Sequence, residues 1–165
     1  MINDYIDKYI DLLFEKEKII NNIKSVNNKI LDDKYKDLKD EIIILNKKKE
    51  LTDKLISCVK SYIDEFTYYA SKNDLIEIIN YINNKIDFID NHINETMSLI
   101  NYLVPNNDEY SIKTVEELVK LGSSLNVKRS FYVNELDKFS SYIKDNKNIL
   151  YRKWNYVKEN WTSKN

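Results

Sequence analysis

The longest regular pattern of apolar positions runs from residue 75 to residue 103. Leu75, Ile79, Ile82, Ile86, Ile89, Ile93, Thr96, Ile100 and Leu103 follow one another in alternating steps of four and three. That spacing puts all of them on a single stripe of an α-helix. A heptad sustained over such a length makes a narrow seam, the pattern of a coiled coil or long bundle. Ser71-Lys72-Asn73-Asp74 offers the start, since Ser71 or Asn73 can accept from the orphaned amides of a first turn. Pro105 offers the stop, because the residue before a proline, here Val104, is pushed out of helical geometry. The spacing predicts a helix over 74–103.

Residues 1–70 carry helical spacing in three successive registers. Ile6, Tyr9, Leu13, Ile20, Ile23 and Ile30 hold the first, and Leu31, Tyr35, Leu38, Ile42 and Leu45 hold a second, shifted by one position. Leu51, Leu55, Cys58 or Val59, Tyr62, Phe66 and Tyr69 hold the third. Either the helix is continuous with stutters, which locally unwind a supercoil, or it breaks near Asp32-Asp33 or near Lys47-Lys48-Lys49. No glycine or proline marks either place, so the pattern predicts one helix over about 2–70 with at most one break, around 47–51.

After Pro105 the polar run Asn106-Asn107-Asp108-Glu109 reads as a loop. Thr114-Val115-Glu116-Glu117 has the form of a capping box and Gly122 that of a left-handed C-cap, which predicts a short helix over 114–121. A final helix is expected from about 125 to about 160, with Leu136, Phe139, Ile143, Leu150 and Val157 as its main stripe. The elements predict an all-α fold, an elongated antiparallel helical bundle or coiled-coil hairpin with long helices. Residues 1–104 are expected to form the hairpin. Residues 105–165 supply the loop, the short helix and a C-terminal helix that packs back on it, all as one structural unit.

Composition supports that class. In 165 residues there is a single glycine and a single proline, whereas sheets and loop-rich folds need turn residues repeatedly. With 42% hydrophobic residues the chain is too apolar to be disordered throughout. Lys, Ile, Asn and Tyr number 24, 23, 22 and 13. Their codons are A/T-rich, so the asparagines reflect an AT-rich genome (viral or phage origins included) rather than designed helix breakers. No signal-peptide pattern opens the chain. No apolar run exceeds the four residues from Ile42 to Leu45, against the ~20 of a membrane helix. With a lone cysteine besides, an intracellular, cytoplasmic protein is the expectation.

Charge is uneven along the chain. Residues 51–104 carry a net −4 and residues 105–165 a net +3, while 1–50 balance. An acidic middle segment beside a basic last one favours an antiparallel arrangement.

Residues with catalytic potential are few. His92 is the only histidine and flanks the seam, and the reversed His92-Ile93-Asn94-Glu95 does not make the several Glu-x-x-His pairs of a helical di-metal site. Cys58 lies among Leu55, Val59 and Tyr62, the setting of a buried structural thiol. One glycine leaves no phosphate-cradling loop. Asp64-Glu65 and Glu116-Glu117 are adjacent rather than convergent. The sequence therefore predicts no enzyme, no catalytic residues, no metal ligands and no cofactor.

What stands out instead is aromatic. Tyr151, Trp154 and Trp161 lie at helical spacing, with Lys147 and Lys158 on the same stripe. Trp and Tyr dominate interface hot spots because they bury large area at small entropic cost. These five are candidate partner-binding residues, while packing of the same rings inside the bundle is the competing reading. The expected partner is another protein, or a second copy of the chain in a homodimer, and no membrane. An alternative is an architectural nucleic-acid binder in which Arg129, Lys138, Lys144, Lys147, Arg152, Lys153 and Lys158 track phosphates between stacking rings. A pI near 5.9 argues against it.

Overall fold

A computed structural model describes residues 1–30 and 38–144, and these form four long helices: α1 (Ile2–Ile30), α2 (Lys39–Tyr69), α3 (Lys72–Leu103) and α4 (Glu109–Lys144). The fold is all-α, as the apolar spacing predicts, and no strand occurs among the described residues. The chain divides into two compact units, Met1–Thr67 and Tyr68–Asn165. The sequence predicts one structural unit, with a hairpin over 1–104 on which residues 105–165 pack back. The division falls before α3 because α3 makes its extensive contacts with α4.

In the first unit α1 and α2 run antiparallel. Tyr5 stacks on Tyr62 with ring centroids 4.0 Å apart, and about three turns further along α1 Lys16 meets Asp53 at 2.6 Å. As one partner advances along α1 the other retreats along α2. Ile6, Ile10, Leu12, Ile19 and Val26 of α1 are buried, and on α2 so are Leu45, Thr52, Ile63 and Thr67. The Lys47-Lys48-Lys49 run, a possible break on sequence grounds, lies inside α2 without interrupting it. The other candidate break, at Asp32-Asp33, falls outside the described residues. The third register is also corrected: Leu51, Leu55, Cys58, Tyr62 and Tyr69 are exposed, and the inward stripe runs through buried Thr52, Ile63 and Thr67 with half-buried Ile56 and Val59, the last of these as the sequence allowed. Threonine explains the shift. Thr52 and Thr67 donate their hydroxyls to the carbonyls of Lys48 and Ile63, at 2.8 and 2.7 Å, and so enter an apolar stripe with no unsatisfied donor.

In the second unit α3 and α4 form an antiparallel hairpin around the loop 104–108. Arg129 of α4 reaches Asp90 of α3, and Gly122 lies against Thr96. This register brings Phe139 level with Ile78 and Ile82, and all three are among the most deeply buried side chains. Leu75, Ile82, Ile86, Ile89 and Thr96 of the expected seam are buried, with Ile78 taking the place given to Ile79, which is half-buried. Ile93, Ile100 and Leu103, nearer the loop, are only half-buried.

The helix ends have identifiable causes. Ser71 and Asp74 form the expected capping box: the Asp74 amide donates to Ser71 Oγ at 3.1 Å and the Ser71 amide to Asp74 Oδ2 at 3.0 Å. At its other end α3 stops at Leu103, but Val104 keeps helical angles and its amide still donates to Ile100. The ladder ends because Pro105 has no N–H to continue it, not because its neighbour is expelled. Then α4 starts at Glu109 rather than Thr114. Asp108 accepts from the Ser111 amide at 2.9 Å and the Ser111 hydroxyl at 2.7 Å, whereas Thr114 sits inside the helix and donates to the Tyr110 carbonyl.

Gly122 does not end a helix. The expected short helix 114–121 and the final helix from about 125 are one element through residue 144, and no glycine has positive φ. The expected continuation to about 160 lies outside the described residues. A Cβ placed on Gly122 would sit 3.8 Å from Thr96 Cγ2, an ordinary contact. Glycine inside a helix costs about 0.5–1 kcal/mol relative to alanine. Gly122→Ala is therefore expected to raise the thermal midpoint by a few degrees in a calorimetric scan. A lower midpoint would restore Gly122 as a left-handed C-cap.

Candidate functional site

The sequence-predicted partner residues Tyr151, Trp154, Trp161, Lys147 and Lys158 lie outside the described residues. The described part of the second unit offers a different surface. Of the seventeen large apolar side chains exposed among the described residues, eight fall between Met97 and Leu121, at the loop end of the α3–α4 hairpin. Such a concentration is unlike the single exposed leucines scattered over any soluble protein.

Four of the eight are ordered by the helical repeat. Met97 of α3 and its C-cap Val104 stand one heptad apart, Ile112 and Val119 one heptad apart on α4, and each is about half exposed, at 52, 58, 50 and 51%. The antiparallel register sets Met97 across from Val119 and Val104 across from Ile112. Between Met97 and Val119 runs a groove of about 190 Å³ lined by Ile93, Thr96, Ile100, Gly122, Ser123 and Asn126. Its floor is low because Gly122 lacks a side chain and Thr96 turns its hydroxyl back to the His92 carbonyl at 2.8 Å, leaving a methyl outward. Two apolar ridges and a small-residue floor are thus built by helices whose backbones satisfy their own hydrogen bonds.

Charged groups flank this end unevenly. Between residues 93 and 126 there are five carboxylates, Glu95, Asp108, Glu109, Glu116 and Glu117, against Lys113 and Lys120, a net of −3. Lys113 pairs along the helix with Glu109 at 3.7 Å. At the inner limit of the region Arg129 holds Asp90 through two hydrogen bonds, Nε to Oδ1 at 2.6 Å and Nη2 to Oδ2 at 3.4 Å. Those bonds, and the carboxylate's charge, raise the pKa of Arg129 further. The pair sets the hairpin register, so Arg129 is engaged within the protein rather than presented to phosphates.

Other groups singled out by the sequence are dispersed. His92 is half exposed, 3.7 Å from Glu95 along the same helix and edge-on to Phe88. Cys58 is exposed, not buried as its apolar neighbours suggest, because the buried stripe of α2 passes one residue later. Among the described residues no group of three His, Cys, Asp or Glu converges on a point. The lowered carboxyl pKa values of Asp74 and Asp108 come from capping. At Asp74 the Ser71 amide contributes most and the Ser71 hydroxyl next, and at Asp108 the Ser111 hydroxyl leads, followed by its amide. A second apolar stripe, Ile44, Leu51, Leu55 and Tyr62, is exposed on α2, but Lys48 interrupts it and Tyr62 is already stacked on Tyr5.

Reasoning from sequence missed the groove because it followed one stripe per helix. The signal was present: Met97 and Val104 repeat one residue after Thr96 and Leu103, a second heptad beside the seam. No family model matches the chain, and no curated protein or solved structure matches it either.

The two capping carboxylates carry a pH dependence. Their pKa values are lower in the folded chain, so their stabilising contribution is fully present above the unfolded aspartate value of about 3.9 and is lost as pH falls through the folded values. The difference in thermal midpoint between wild type and Asp108→Asn is expected to stay constant above about pH 5 and to shrink below about pH 4. A difference that grew on acidification would remove the capping role.

Proposed function

We propose that this chain is a non-enzymatic protein-interaction module, a scaffold, adaptor or small antagonist or immunity-type protein that acts through helix faces. The observation that carries the reading is the groove toward the loop end of the hairpin, rimmed by half-exposed Met97 and Val119, with Val104 and Ile112 half exposed one heptad nearer the loop. Fully burying a side chain of this size is worth about 1.5–3 kcal/mol relative to leaving it exposed, and a half-exposed one realises only part of that. Four of them in two facing heptad rows fit a surface completed by another protein.

A composition rich in Lys, Ile, Asn and Tyr, residues with A/T-rich codons, suits a viral or phage origin for such a module, and a cytoplasmic location belongs to the same reading. No described helix is long and apolar enough to cross a membrane. The nucleic-acid alternative gains no support from the described residues. Arg129 is held by Asp90, Lys138 is engaged within the protein, and the apolar end of the hairpin is net negative. The C-terminal residues Trp154 and Trp161 remain candidates for a second contact.

Photo-crosslinking in the native cell tests the reading. A photoreactive side chain at Met97 or Val119 is expected to form adducts with another protein, and one at Lys120, on the outer face of α4, is not. Absence of adducts at both groove positions, or equal adducts at all three, would contradict an interface there.

A further inference from the structure

Resting on that reading, we infer that the groove between α3 and α4 receives a positively charged amphipathic helix of a partner protein. Three features of the surface select this occupant. The first is the repeat. Met97 with Val104, and Ile112 with Val119, are half-exposed pairs one heptad apart, and Met97 and Val119 face each other across the low floor of the groove. Seven residues advance a helix by ~10.5 Å, so each pair matches two turns of a third helix laid along the groove. Such a helix would insert anchors spaced i, i+3 or i+4 and i+7 between the two pairs.

The second feature is the depth between Met97 and Val119. A groove of about 190 Å³ exceeds the ~150 Å³ of a cavity that holds a benzene molecule, so it takes one large aliphatic or aromatic anchor over Gly122 and Thr96. An extended strand is a poor occupant. The groove walls are helices, whose mid-helix amides and carbonyls are already paired and leave no edge for strand addition.

The third feature is charge. With a net of −3 over residues 93–126, the surface attracts a basic ligand. It disfavours a second copy, which would bring an identical −3 to the interface. Like charges set against each other raise the cost of the wrong partner, and opposite charges speed the encounter of the right one. The partner segment is therefore a helix of at least two turns with an apolar stripe and lysine or arginine on its flanks.

Two synthetic 18-residue amphipathic helices test this with the full chain. They share one Leu/Ile stripe, and one carries lysine and the other glutamate at the flanking positions. Fluorescence anisotropy is expected to show the lysine peptide binding at least tenfold more tightly than the glutamate peptide. Val119→Asp, which circular dichroism should show still helical, is expected to weaken the lysine peptide at least tenfold. Met97→Asp provides the same test from the opposite row. Each substitution adds a negative charge, so an association that is ionic alone would strengthen and overturn the proposal. Equal binding of both peptides would also overturn it while leaving the groove as a docking site. Binding of neither, together with loss of the Met97 crosslinks in cells, would remove the interface itself.

Discussion

Everything in the second unit depends on the pairing of α3 with α4 along a heptad seam, and that seam is closed unevenly. Far from the loop Leu75, Ile78 and Ile82 are buried with Phe139 level between the last two, and each such side chain is worth about 1.5–3 kcal/mol. Nearer the loop Ile93, Ile100 and Leu103 are half-buried and their neighbours Met97 and Val104 half exposed. Stability is concentrated at one end of the hairpin and unsatisfied apolar surface at the other. The two are compatible because a helix pair is continuous: the closed end orders the backbone that holds the open end in shape, and a partner need not supply the ordering entropy.

The devices that hold the open end in shape are local and polar. Asp108 and Ser111 start α4 immediately after the loop, and the loss of a donor at Pro105 ends α3. Arg129 and Asp90 then lock the register near the middle of the hairpin. Its bidentate form gives geometric specificity more than energy, since both side chains are about 40% exposed. A slip of α4 along α3 would break this pair and move Gly122 away from Thr96. Register and groove are therefore set by the same contacts.

Much of this was legible in the sequence, and the failures have physical causes. The 75–103 heptad identified α3 and most of its buried face, and the Ser71–Asp74 box located its start. Gly122 misled because glycine is strongly associated with helix ends, whereas here it is retained within a helix where α4 passes Thr96. Thr114-Val115-Glu116-Glu117 has the residues of a capping box, yet Asp108, earlier in the chain, takes the same role and starts the helix at Glu109. On α2 the register was misplaced by one because threonine counts as polar by type, though Thr52 and Thr67 bury after satisfying their own hydroxyls. The groove is a property of two helices together. It required the antiparallel register, which no single stripe contains.

The central claim is that the open end of the hairpin is an interface for a foreign protein. Light scattering after size exclusion, over a concentration series, addresses it most directly. The account predicts a mass near 19.8 kDa that does not change with concentration. A mass near twice that value, returned to the single-chain value by Met97→Asp or Val119→Asp, would contradict the account by showing that the groove is covered by a second copy of the same chain.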